Sequence, residues 1–277
     1  MNILKAFLLF ALLIGLEGLM SLGIYEIYKF IEPNVTDTLS SNSLIHYFRI
    51  TNSMTITTSY LVVFFFFFKT VFDWNKGIEK LKIIDLKTIL FLVIIAVGIE
   101  LFDRPFFDFS KIIDRINDGE IETFNFSENS NISLFYKAIS ALIIAPIFEE
   151  LFFRKFIFGE LLKKNSLILS IIISSIFFSL IHLPSYRNLL PTFILGVICC
   201  IIYLETRNII YPIILHFFTN LSWLVLLTYG KPYQKWIYGL EYDFIYWTLP
   251  IAGAAISYIG LNRIKAANNG EQSCRTS

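Results

Sequence analysis

Three ionisable residues crowd into one apolar stretch of the chain, Ala145-Pro-Ile-Phe-Glu149-Glu150-Leu-Phe-Phe-Arg154. A charged group at the centre of a lipid-crossing helix costs at least about 2.5 to 3.5 kcal/mol on insertion scales, so such groups face a protein or water-filled interior and mark function. On an α-helix Glu150 and Arg154 stand four apart and are expected to form a charge-assisted pair, while Glu149 is turned about 100° away. Glu149 is then the carboxylate left for chemistry. Its type and setting suit a group that takes a proton from water and returns it to a leaving amine. Glu150 and Arg154 read as its scaffold.

The chain has three histidines, and two of them fall at or within apolar stretches. Phe178-Ser-Leu-Ile-His182 closes one stretch just before Pro184, and His216-Phe-Phe-Thr-Asn220 lies within another. The i,i+4 spacing puts the His216 imidazole and the Asn220 carboxamide on one helix face, and both groups donate hydrogen bonds. Phe178, one turn before His182, reads either as orienting that imidazole or as core. The polar break Lys163-Lys164-Asn165-Ser166 lies midway between Glu149 and His182. If the flanking helices form an antiparallel hairpin about it, Glu149 and His182 share one depth, about 16 residues or roughly 25 Å of helical rise from the turn. The third histidine, His46, falls in a loop.

In order, spacing and placement these residues resemble the three motifs of the CPBP intramembrane proteases. That family includes the type II CAAX prenyl endopeptidases and the Abi bacteriocin-immunity and processing proteins. Glu149-Glu150-x-x-x-Arg154 resembles the first motif, Phe178-x-x-x-His182 the second and His216-x-x-x-Asn220 the third; Leu204-Glu-Thr-Arg-Asn-Ile-Ile-Tyr-Pro212 is also similar to the family. The resemblance spans about 141–220 and departs where Lys155 follows Arg154 in place of the family's common Gly.

The resemblance implies an intramembrane endopeptidase in which Glu149 and His182 activate water while His216 and Asn220 stabilise the tetrahedral oxyanion. It implies a membrane-associated peptide or protein as substrate, such as a CAAX-type tail or a bacteriocin precursor, and a bacterial cell membrane as the location. Members have also been described as metalloproteases, and Glu149, His182 and His216 would then serve as a three-ligand zinc site with an open fourth position. The chain lacks the His-Glu-x-x-His arrangement in which one helix supplies both ligands and base. If Glu149 binds metal, another group must then act as base; the sequence leaves both mechanisms open, with a slight lean to the metal-free one.

Positioning these groups is a task for helices in lipid. The chain's 277 residues are 56% hydrophobic and 17% aromatic with only 16% charged, against about 25% charged in a soluble domain. Stretches at about 6–28, 54–68, 86–102, 136–162, 167–183, 189–204, 209–229 and 244–261 reach or approach the roughly 20 apolar residues that span a bilayer. The expected fold is all-α and polytopic, with about eight transmembrane helices around an intramembrane active-site cavity. Residues 1–135 are expected to hold three spans and an acidic extramembrane loop at 103–133. Residues 136–262 would form the catalytic core of five helices, and 263–277 a disordered polar tail.

A formal charge of +1 gives no footing for nucleic acid, which leaves the bilayer and a membrane peptide as partners. Three cysteines, two of them adjacent, offer neither a disulfide framework nor a zinc knuckle. A small excess of Lys and Arg on alternate loops favours both termini inside, which with the depth relation sets the site nearer the non-cytoplasmic face. Glu17, Glu26, Glu100 and Glu205 read as interfacial or cavity-lining groups. Two rivals of different function share these features. One is an immunity or scaffold protein that captures a peptide without cutting it; the other is a proton-coupled transporter, for which a buried Glu-Arg pair is also normal.

Overall fold

Backbone in hydrocarbon has no water to bond, so a segment that crosses a membrane must satisfy its own N–H and C=O groups as a helix or in a closed barrel. A computed structural model describes residues 1–31, 54–66, 85–118, 131–183 and 185–276, and among them every regular element is helical. In chain order these are α1 (Ile3–Ile31), α2 (Met54–Phe66), α3 (Leu86–Phe107), α4 (Phe109–Asp118) and α5 (131–161). They are followed by α6 (Leu167–Leu180), α7 (Tyr186–Thr206), α8 (Ile210–Tyr229), α9 (Lys231–Gly239) and α10 (Phe244–Thr276).

Among the described residues, four segments are long and apolar enough to cross a membrane: Ile3–Ile27, Tyr186–Thr206, Ile210–Tyr229 and Phe244–Ala267. Met54–Phe66 and Leu167–Leu180 are shorter apolar helices. The chain is thus an all-α, polytopic membrane protein. Its outward surfaces carry exposed Leu4, Leu8, Leu19, Leu22, Phe65 and Phe66, as lipid contact requires.

The acidic segment is not a plain loop. α3 runs on to Phe107 and α4 covers Phe109–Asp118, while 119–130 lie outside the described residues, as do His46 and the lysines at 69, 76, 80 and 82. The polar end of the chain continues α10 as helix to Thr276, so composition alone misreads 263–276 as lacking regular structure. Arg263 to Ala267 are helix formers following a long apolar helix, and once a helix is under way propagation adds one hydrogen bond for each residue fixed.

Two compact units divide the chain: Met1–Lys80 with Glu128–Ser170, and Leu81–Ser127 with Ile171–Ser277. In the first, buried Leu9, Phe10 and Leu13 of α1, Tyr60 and Val63 of α2, and Phe152, Phe153, Phe156 and Ile157 of α5 form the apolar interior.

In the second unit α3 packs against α10, α8 and α7. Helices in lipid gain little from apolar burial against one another, so close approach through small residues carries the packing. At the α3–α10 crossing a Cβ on Gly253 would meet the Gly98 carbonyl oxygen and the Phe102 nitrogen, each at 2.5 Å. Neither backbone atom can move aside alone. Gly253→Leu is therefore expected to lower the stability of the purified protein by about 1–3 kcal/mol, or more where the crossing separates. An unfolding midpoint in detergent micelles equal to wild type would contradict this crossing.

Candidate active site

The carboxylates sit on α5, a helix of mixed pitch. An α-helical Asn131–Ile139 leads into a π-turn at Ser140–Ile144, an α-helical Ala145–Glu150, a π-helical Leu151–Phe158 and a last turn at Gly159–Leu161. The first π-turn has a visible cause. Pro146 brings no N–H and its ring clashes with the carbonyl four residues back, and a widened turn is one way a helix absorbs this; here the Ala145 N–H reaches the Ser140 carbonyl, five residues back.

Glu150 and Arg154 are both fully buried, with Arg154 Nε 3.0 Å from Glu150 Oε2. The expected i,i+4 pair is present even though the backbone after Glu150 has π pitch. Nε and Oε2 meet as charges at that distance without the alignment of a hydrogen bond. Glu149 is buried to 7% exposure, and its Oε2 has no hydrogen-bond partner among the described residues. Its neighbour Phe148 stacks on Tyr60 with ring centroids 5.8 Å apart and planes at 19°. The carboxylate therefore rises from an aromatic wall.

The imidazoles belong to the second unit. α6 carries buried Ser174, Ser175 and Ser179, spaced so that α7 can approach closely. A Cβ on Gly196 of α7 would lie 3.0 Å from Ser175 Cβ, and the Ser179 hydroxyl donates to the Leu189 carbonyl at 2.5 Å. These contacts fasten the end of α6 to the start of α7 and so hold the turn that carries His182. That turn is tighter than an α-helix: the His182 N–H donates to the Ser179 carbonyl at 3.0 Å and the Leu183 N–H to the Leu180 carbonyl at 3.2 Å. His182 thus lies two residues past the helix end at Leu180 instead of closing the helix. Leu183 precedes a proline, which disfavours α geometry there.

His182 Nδ1 is 2.9 Å from the Phe178 carbonyl oxygen. A carbonyl only accepts, so Nδ1 carries the proton of the neutral ring and Nε2 its lone pair. Phe178 is completely buried and presents its ring to both imidazoles, 5.3 Å from His182 and 5.6 Å from His216 in edge-on arrangements. It is both core and orienting surface. His216 is buried on α8, with Asn220 one turn further along and half-buried.

The segment Leu204 to Pro212 sets the entry of α8. Arg207 takes a left-handed conformation at φ 53° to end α7, the Asn208 N–H donates to the Thr206 hydroxyl at 3.3 Å, and Asn208 Oδ1 accepts from the Ile210 N–H at 3.0 Å. Tyr211 then reaches the start of α3, where its hydroxyl accepts from the Asp85 N–H at 3.1 Å.

Asp85 caps α3 by accepting from the Lys87 and Thr88 N–H groups and the Thr88 hydroxyl. The Thr88 hydroxyl bond, ahead of the backbone bonds, holds its carboxyl below the usual range. A depressed folded-state pKa means the cap's pH-dependent stabilisation is present above the unfolded value of about 3.9 and is lost as pH falls through the folded value. Asp85→Ala is expected to cost about 0.5–2 kcal/mol near neutral pH, with the gap to wild type narrowing as both proteins are acidified. Unfolding midpoints measured against pH check this, and a gap that widens on acidification would refute it.

A zinc site needs three protein ligands in reach of one point. Among the described residues, neither unit by itself gathers three His, Cys, Asp or Glu side chains in that way: His182 and His216 belong to one unit and Glu149 to the other.

Residues 131–222 match the family described as type II CAAX prenyl endopeptidase Rce1-like. That segment is similar to Rce1-like domains, in agreement with the motif resemblance, and it contains Glu149, His182, His216 and Asn220. Among curated proteins, the CAAX prenyl protease 2 of Methanococcus maripaludis is 32% identical over 178 residues, covering 54% of this chain and 60% of its own. The membrane-embedded CAAX protease MroQ of Staphylococcus aureus is 39% identical over 84 residues, 28% of this chain and 34% of its own. The UPF0177 protein YxdF of Lactococcus lactis is 39% identical over 79 residues, 28% of this chain and 43% of its own. The chain thus spans between about a third and three fifths of these relatives. No solved structure matches it.

Tyr60, the π-helical pitch of α5 and the serine face of α6 are absent from the motif reading. Pro146 and the Ser-x-x-x-Ser repeats are the local signals for the last two. Nothing local points to Tyr60.

Proposed function

We propose that the protein is an intramembrane endopeptidase that hydrolyses a peptide bond of a membrane-associated protein or peptide. Glu149 acts as general base and His216 and Asn220 as donors to the oxyanion. The observation that carries the reading is Glu149 itself: a buried carboxylate oxygen without a hydrogen-bond partner among the described residues, inside a segment matching a prenyl endopeptidase family. Buried polar atoms are normally satisfied, and the exceptions call for a catalytic or ligand-binding explanation.

In the proposed reaction Glu149 takes a proton from water as its oxygen attacks the scissile carbonyl carbon. His182, whose Nε2 holds a lone pair, accepts from the same water and aligns it. The carbonyl oxygen gains the electron pair of its π bond, and the His216 and Asn220 N–H groups donate to it. Collapse of this intermediate expels the amine, which receives the proton held by Glu149. A positioned base supplies roughly 10² to 10⁴ in rate and an oxyanion donor about 10² to 10³. CAAX-type tails are the favoured substrates because the matched family is described by that activity, and bacteriocin-like precursors are the next class to test. A bacterial cell membrane is the proposed location, in keeping with the Staphylococcus and Lactococcus relatives.

Mass spectrometry of membrane peptides from cells carrying wild type or Glu149→Ala tests catalysis and names substrates together. Peptides that accumulate uncut only in the variant are the expected result. A variant that is present in the membrane and processes or protects as wild type does would make the protein a binding or immunity protein instead. Substrate flux into sealed vesicles with no cleavage product would make it a transporter. Cleavage by the purified protein is further expected to survive exhaustive chelation, with substoichiometric metal content. Activity lost on chelation and restored by zinc would overturn the metal-free mechanism.

A further inference from the structure

Among the buried polar atoms of the first unit that stand without hydrogen-bond partners in the described residues are Glu149 Oε2 and the Tyr60 hydroxyl. They belong to α5 and α2. Tyr60 is 1% exposed, and its ring is fixed from two sides, stacked on Phe148 at 5.8 Å and edge-on to Phe152 at 5.9 Å. Phe148 and Phe152 are successive turns of the helix that carries Glu149. The ring thus lies along the flank of α5 at the level of the carboxylate. Glu149 also bears electrostatically on the Tyr60 hydroxyl.

α2 and α5 therefore each carry a buried, unpaired polar atom beside one cluster of aromatic rings. A buried water is held by two to four polar partners, and a phenol and a carboxylate supply a donor and an acceptor for one. Packing that immobilises the Tyr60 ring also fixes the direction of its O–H bond to within the torsion of the hydroxyl. This is the preorganisation that a positioned nucleophile needs.

We propose that Tyr60 is a positioning residue for Glu149: its hydroxyl donates to the water that Glu149 Oε2 accepts from. The inference rests on the endopeptidase reading for the identity of the water as nucleophile, but the Tyr60–Glu149 linkage stands apart from it. Tyr60 transfers no proton in this scheme. It orients the water so that its departing proton faces the carboxylate.

Tyr60→Phe keeps the ring contacts and removes only the hydroxyl. Wild type, Tyr60→Phe, Glu149→Gln and the double variant, purified in detergent micelles, are compared by unfolding midpoint. They are also compared by cleavage of a farnesylated peptide ending in Cys, two aliphatic residues and a variable residue. Linked groups make the two midpoint shifts non-additive in the double variant, as contacting residues do. Tyr60→Phe is expected to lower kcat by about tenfold or more with KM unchanged, the loss of one hydrogen bond to a charged unit. A Tyr60→Phe protein with wild-type kcat overturns the proposal, including where its midpoint falls, since that pattern is packing alone. If no form cleaves the probe, the midpoints decide: additive shifts overturn the linkage and non-additive shifts uphold it. A Glu149→Gln protein that cleaves at the wild-type rate would instead defeat the endopeptidase reading.

Discussion

Purified Glu149→Gln protein is expected to lose peptide cleavage by about 10² to 10⁴ while unfolding at a midpoint no lower than wild type. The two halves of this result have one cause. A carboxylate buried in an apolar interior is costly unless it is paired and hydrogen-bonded, and Oε2 has no hydrogen bond among the described residues to offset that cost. Gln has nearly the same shape, cannot become charged and cannot act as a base. Removing the charge therefore relieves the fold and ends the chemistry, the pattern expected where activity is kept at the expense of stability. Cleavage assays alongside thermal unfolding in micelles check both halves. A variant that loses activity only because it unfolds would place Glu149 in the scaffold, and one that still cleaves would remove it from the mechanism.

Arg154→Met is expected to show the opposite profile, a loss of about 3–5 kcal/mol in stability. Arg154 and Glu150 are completely buried and 3.0 Å apart. Removing the guanidinium leaves the Glu150 carboxylate without its neighbouring countercharge in a low-dielectric interior, and the desolvation cost that the pair shared falls on one group. Replacing both partners together avoids this, so Glu150→Met combined with Arg154→Met should recover most of the stability. If the double variant is no more stable than Arg154→Met alone, the ion pair is not what links these two residues. The same comparison tests the division of labour on α5. Glu149→Gln spares the fold and removes the activity, whereas Arg154→Met undermines the fold that presents Glu149.

Several of these relations are legible in the sequence. Glu150 and Arg154 meet because i,i+4 neighbours on a helix face one another, a rule that needs only the intervening residues. His216 and Asn220 share a face of α8 for the same reason. The break between α5 and α6 falls at residues 162–166, where Lys163, Lys164, Asn165 and Ser166 interrupt two apolar runs. His182 was half legible: its place near a helix end follows from Pro184, but its position two residues beyond Leu180, in a tightened turn held by Ser179 and Leu189, depends on how closely α7 approaches. The π pitch after Glu150 was not legible, since the motif spacing reads the same whether the backbone bonds run four or five residues back.

By itself the sequence determined that the chain is a set of lipid-crossing helices, that Glu149, Glu150 and Arg154 crowd into one apolar stretch, and that its imidazoles and carboxamide recur at the spacing of a protease family. Hydropathy and helical period are properties of contiguous residues, so they survive without a partner. Only the tertiary structure decided that Phe178 lies between two imidazoles, that Gly98 and Gly253 let α3 and α10 touch backbone to backbone, and that Tyr60 lies along the wall beside Glu149. Those contacts join residues far apart in the chain, and in an apolar medium their partners are chosen by shape complementarity between helices, which no single helix encodes.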